Sequence, residues 1–164
     1  MSSKVILLNG PSSSGKSTFA KVLQTCIKET RNEEYGIVSI DEFLKMTADN
    51  AIYEDDVFEI SSQLCEKSLE MLKTKQGVII DHVITSERIF KQLIEILGAY
   101  TTILIHVTCP LYELRKRESK RKNRCIGSAE ASLEYLFPKD GYNLTIDTFE
   151  LSAKECSLRI IKLL

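Results

Sequence analysis

The chain has 164 residues, enough for one domain with a substantial core. Its 43% apolar and 27% charged residues are ordinary for a soluble globular protein. A net charge of −1 argues against a protein built to coat DNA or an anionic membrane.

The opening MSSKVILLNG has an apolar run too short for a signal-peptide core or a membrane span, so a cytoplasmic location is expected. Five widely separated cysteines, an odd number without a CxxC, read as thiols in a reducing compartment. His82 and His106 complete no metal-binding spacing.

In chain order, KVILLN (4–9) reads as a buried strand. GPSSSGKS follows, from Gly10 to Ser17, and fits GxxxxGK[ST] without a mismatch. Gly10 and Gly15 let the backbone wrap a diphosphate, while Pro11, Ser12, Ser13 and Ser14 present polar groups along the turn. Lys16 is expected at the β- and γ-phosphates, Ser17 on Mg²⁺ and Thr18 near the α-phosphate. Apolar residues at three- and four-residue spacings predict a helix over 16–31.

YGIVSI (35–40) is a second strand ending at Asp41, which accepts a proton from an attacking hydroxyl, touches the magnesium shell or caps a short helix, roles that do not exclude one another. From Asp41 to Glu59 seven acids face Lys45 alone, with Phe43, Leu44, Met46, Tyr53 and Phe58 among them. This composition suits a compact hydroxylated or amine-bearing acceptor better than a polyanion. Residues 42–76 contain no arginine, which leans against a phosphate- or carboxylate-bearing acceptor. A helix is predicted over 54–74.

GVIID (77–81) is a third strand whose Asp81 has the place of a Walker B acid, on Mg²⁺ or on the acceptor, or else caps a turn. His82 either touches the acceptor or sits behind it. A helix over 86–97 leads to the strand TTILIHV (101–107). The block RKRESKRKNR (115–124) comes next, with seven Lys or Arg against one acid. Placed after the fourth strand, it reads as an arginine-bearing lid over about 115–128. Arg117, Arg121 and Arg124 would share one helical face there and clamp phosphate oxygens. A solvated face and a nucleic-acid contact are the alternatives; the absence of aromatics inside the run disfavours the latter. YNLTID (142–147) is a fifth strand, whose Asp147 either stabilises the loop near the adenine or takes part in function. A helix over 153–164 closes the chain. Strand–helix alternation throughout means an α/β fold with a parallel sheet between helices, one domain over 1–164.

These pieces together, VILLNGPSSSGKST (5–18), IDEF (40–43), GVIIDHV (77–83), HVTCP (106–110), the basic block, YNLTIDT (142–148) and KECSLRI (154–160), resemble the chloramphenicol phosphotransferase-like P-loop kinases. The resemblance runs over almost the whole chain. It implies a three-layer P-loop NTPase fold like that of nucleoside-monophosphate kinases, with strand order 2-3-1-4-5 and a helical lid. It also implies transfer of the ATP γ-phosphoryl group, with Mg²⁺, to an alcohol. In chloramphenicol phosphotransferase that alcohol is the drug's 3-hydroxyl, an antibiotic-resistance reaction. Carried over by position, Lys16, Ser17, Arg117, Arg121 and Arg124 serve the nucleotide and Asp41 the acceptor hydroxyl. The partner is then a small hydroxyl-bearing molecule bound over about 42–76, with no nucleic acid, no membrane, and a monomer or homodimer. Two rivals stand beside this reading: a nucleotide, nucleoside or other metabolite kinase, and a nucleotide-dependent effector that binds a protein.

Overall fold

The computed structural model describes residues 4–44, 53–122 and 125–164. Five parallel strands, β1 (Lys4–Asn9), β2 (Tyr35–Ser39), β3 (Gly77–His82), β4 (Thr101–Thr108) and β5 (Leu144–Asp147), form one sheet in the order β2-β3-β1-β4-β5. Side chains of a strand alternate between faces, and both faces here are covered. Val5 and Leu7 of β1, with Val78 and Ile80 of β3, pack against α2 (Glu54–Leu72) and α3 (Glu87–Leu97). Ile6, Leu8 and Ile79 turn the other way, onto α1 (Lys16–Arg31) and α6 (Ala153–Ile161). That is why the central strands read as unbroken apolar runs.

Register places the chemistry. Leu8 lies beside Asp81 and Asn9 beside both His82 and His106, so β1 and β3 end level and β4 runs two residues further. Asn9 ties this edge together. Its amide nitrogen donates to the Phe137 carbonyl and to Tyr142 Oη, both at 2.9 Å, and its side-chain oxygen accepts the Ile84 N–H at 2.9 Å. Polar groups from four chain segments are thereby held at the carboxyl end of the sheet, where open α/β folds bind their ligands.

The basic block differs from its expected form. Helix α4 covers Leu111–Ser119 and stops there, with Lys120 as its C-cap. Arg121 therefore lies beyond the helix, while Arg124 lies outside the described residues. Prolonging α4 would have stacked Lys120 on Lys116 and Arg121 on Arg117 at four-residue spacing, a like-charge cost. Glu118, the one acid of the run, faces inward and is buried. Its carboxylate accepts the N–H of Gly127 at 3.0 Å and of Ala129 at 2.8 Å, capping α5 (Ser128–Tyr135). Arg115 adds a two-pronged ion pair to Glu130 at 2.9 Å.

Among the described residues no helix is long and apolar enough to cross a membrane. Glu118→Ala leaves two backbone donors of the lid base without a partner and is expected to cost about 1–3 kcal/mol. Urea unfolding of the variant against wild type measures this, and Glu118→Gln, which keeps one acceptor, is expected to lose less.

Candidate active site

The turn between β1 and α1 is held against β4. A Cβ at Gly10 would sit 2.1 Å from the Val107 carbonyl oxygen, so no other residue permits this approach. Gly15 has φ of 87°, in the left-handed region that favours glycine, and Ser13 adopts φ of 67°. The Ser14 carbonyl accepts from Thr148 Oγ1 at 2.6 Å and from Arg117 Nη1 at 3.2 Å. In a trans peptide the carbonyl and the following N–H point opposite ways. Both donors thus turn the Gly15 N–H away from Arg117, as a phosphate cradle requires. Lys16 is buried and bends back over the turn, its Nζ donating to the Pro11 carbonyl at 2.9 Å and to Ser14 Oγ at 3.3 Å.

Two carboxylates face this loop from neighbouring strands. Asp81, buried at the end of β3, accepts at Oδ2 from Ser17 Oγ at 2.5 Å and from Ser39 Oγ at 3.0 Å. Asp41 lies in a 3-10 turn, Ile40–Glu42, immediately after β2. It is not the cap of that turn. Ser39 is, with the Ser39 side chain accepting the Asp41 N–H and Glu42 accepting the Ser39 N–H, so the N-cap reading of Asp41 is corrected.

A cleft of about 390 Å³ joins these groups, with Ser12, Ser13, Gly15, Lys16, Ser17 and Thr18 on one wall. Asp41 and Asp81 line it from the sheet edge, and Arg117 and Arg121 from the α4 side. Gly10 and Pro11 shape the turn behind it. Arg117 is committed to the loop and to Glu113, whose Oε1 lies 3.2 Å from Nε. Arg121 reaches Ser13 Oγ at 3.4 Å. On the far side of Gly15 a second hollow of about 330 Å³ runs between Thr18, Arg117, Thr148 and Leu151. Asp147 lies beside it in a structural role, its Oδ1 accepting the N–H of Phe149 at 2.8 Å and of Glu150 at 3.1 Å.

Sequence reasoning passed over Ser39 and Ser132. The first carries a readable signal, the S-x-x-E pattern Ser39–Glu42 of a capping box. Ser132, on α5, accepts the Ser12 N–H at 2.9 Å and had no local mark.

His82 is fully buried, with Nε2 2.9 Å from Ser61 Oγ on α2. Burial, helped by the charge of Lys16, pushes its imidazole down to about 4. An unfolded histidine titrates near ~6.5. Between these values the unfolded chain binds the extra proton, so stability at this group falls as pH drops through that window and is level above it. Urea unfolding across pH 4–8 is expected to show such a fall in wild type and a smaller one in His82→Gln.

The Mycobacterium tuberculosis APS kinase in complex with AMPPNP and APS superposes with a TM-score of 0.74 at 17% identity, covering 99% of this chain and 97% of that one. An unliganded sugar kinase from Janibacter sp. HTCC2649 gives 0.68 at 15% identity, with 98% and 93% covered. A gluconokinase from Sinorhizobium meliloti 1021 gives 0.64 at 17% identity, with 98% and 94% covered. At such identities the likeness is one of fold, the nucleoside-monophosphate-kinase-like P-loop fold with a helical lid. No curated protein sequence gives a significant match. Residues 3–164, nearly the whole chain, match the family described as chloramphenicol phosphotransferase-like protein, and the chain belongs to that family.

Proposed function

We propose that the protein transfers the γ-phosphoryl group of ATP to a hydroxyl of a small molecule. One observation carries the reading: Lys16 of the glycine-rich turn and Asp41 line the same cleft. Family membership and the fold support it.

In this reading the triphosphate lies along Gly10–Thr18. Its nucleoside end occupies the hollow between Thr18, Thr148 and Leu151, and its terminal phosphate turns toward Asp41. The acceptor oxygen attacks the γ-phosphorus, the bond to the β–γ bridging oxygen breaks, and ADP leaves. The hydroxyl proton passes to Asp41, which is exposed at the mouth of the cleft. Lys16 and Arg121 balance charge on the equatorial oxygens, and Arg124, by its place in the block, is assigned to the same task. Arg117 serves the nucleotide through the loop that it holds in shape.

Ser17 Oγ and Asp81 Oδ2, hard oxygen donors 2.5 Å apart, fit Mg²⁺. The ion would supply further neutralisation of the phosphates when bound. Asp81 is therefore assigned to the ion and Asp41 to the acceptor.

Residues 42–76 are assigned to the acceptor and about 115–128 to the lid; Lys45, Met46 and Asp49 of the first region lie outside the described residues. Among the described residues, two cations near the acceptor side are already matched. Arg88 of α3 pairs with Glu54 at 2.6 Å and Asp55 at 2.7 Å while lying over the Phe58 ring, and Lys67 pairs with Glu42. An acceptor that is itself an anion finds these two counter-charges occupied, which favours a neutral or amine-bearing alcohol.

Labelled ATP offered with alcohols, aminoalcohols, nucleosides and amphenicols identifies the acceptor. With that acceptor, Lys16→Ala is expected to lower turnover by at least roughly 100-fold while the protein still folds; turnover within threefold of wild type removes the assigned role. Asp41→Asn is expected to slow the chemical step with little change in ATP affinity by calorimetry. A collapse of ATP binding with the step intact makes Asp41 a nucleotide residue instead.

A further inference from the structure

Ser39 closes β2 and bonds both to the carboxylate of Asp81 and to the backbone of Asp41. Its hydroxyl donates to Asp81 Oδ2 at 3.0 Å and accepts the Asp41 N–H at 3.3 Å. A serine hydroxyl has a single proton, so its donor capacity is committed to Asp81 while a lone pair holds Asp41. The same Oδ2 accepts from Ser17 Oγ at 2.5 Å. A continuous path of hydrogen bonds therefore runs Ser17–Asp81–Ser39–Asp41, from the phosphate turn to the acceptor side. Glu42 fixes the far end of this path. Its Oε1 accepts the Ser39 N–H at 3.2 Å, and its other oxygen is paired by Lys67 of α2.

We propose that Ser39 is a positioning residue that couples occupancy of the phosphate turn to the placement of Asp41. The inference rests on the nucleotide reading given above and adds a direction of communication to it. When Ser17 turns its hydroxyl toward a bound phosphate or its counter-ion, Asp81 Oδ2 loses one of two donors. The Ser39 hydroxyl is left as the side-chain donor to that oxygen and moves with it as Asp81 turns toward the ion. Both the Asp41 N–H and the 3-10 turn follow the oxygen that holds them. Nucleotide binding thereby sets the acceptor carboxylate before the acceptor arrives.

The test is ¹H–¹⁵N NMR of the full chain titrated with Mg²⁺ and AMPPNP. In wild type the amides of Gly15, Lys16 and Asp41 are expected to move together. In Ser39→Ala those of Gly15 and Lys16 still move, while the ligand-induced shift at Asp41 drops at least threefold; Ser39→Thr, which keeps the hydroxyl, restores it. Ser39→Cys, close in volume and a poor donor, serves the same purpose should the alanine variant not fold. Slow hydrolysis of ATP by water gives an acceptor-free second reading: kcat falls in Ser39→Ala while KM for ATP stays within threefold, and Ser39→Thr recovers kcat. An Asp41 shift in Ser39→Ala equal to that of wild type overturns the coupling, as does an Asp41 amide that stays still in wild type while Gly15 and Lys16 move. If Gly15 and Lys16 themselves do not respond in wild type, the nucleotide reading falls, and the coupling with it.

Discussion

The approach of the β1–α1 turn to β4 is the constraint on which the site depends. The Val107 carbonyl occupies the space where any side chain at position 10 would start. Because Gly10 yields that space, the turn folds tightly enough for Ser14 to be clamped by Thr148 and Arg117, and for α1 to begin at Lys16. The helix N-terminus and the loop amides then converge on one small volume, a natural setting for an anion. Moving the turn outward would spoil this arrangement and also the contact between Ser17 and Asp81.

Charge is sorted across the cleft by topology. Strand order places β3 next to β1 and β2 outside it, so Asp81 and Asp41 arrive on one side. On the other side β4 leads directly into α4, which brings Arg117 and then Arg121. A near-neutral chain thus presents a cationic wall and an anionic wall about one cleft. Burial of Lys16 and Asp81 strengthens their fields relative to water, and buried charges of this kind need the partners that surround them. Glu118 and Arg115 hold the base of the lid, while Arg117, Lys120 and Arg121 line the cleft.

Local features were legible in the sequence, and long-range ones were not. Strand runs, the phosphate turn and the helices α1, α2, α3 and α6 announce themselves through spacing within a few residues. Sheet order could be had only through family resemblance. The lid was misjudged in detail because arginines at 117, 121 and 124 fit a helical period, whereas the helix ends at Ser119. What stops it is like-charge crowding together with an acid that turns inward to cap α5, nine to eleven residues on. Ser132 and His82 show the same limit: a hydrogen bond to Ser12 and a burial against Ser61 depend on partners more than twenty residues away. Ser39 is intermediate, since its capping box is local and its bond to Asp81 is not.

A crystal structure of the protein with Mg²⁺ and AMPPNP tests the central claim most directly. The expected result is a triphosphate along Gly10–Thr18, its terminal group beside Lys16 Nζ with one face open toward the Asp41 carboxylate. A nucleotide seated elsewhere, or a terminal phosphate turned away from Asp41, contradicts the account.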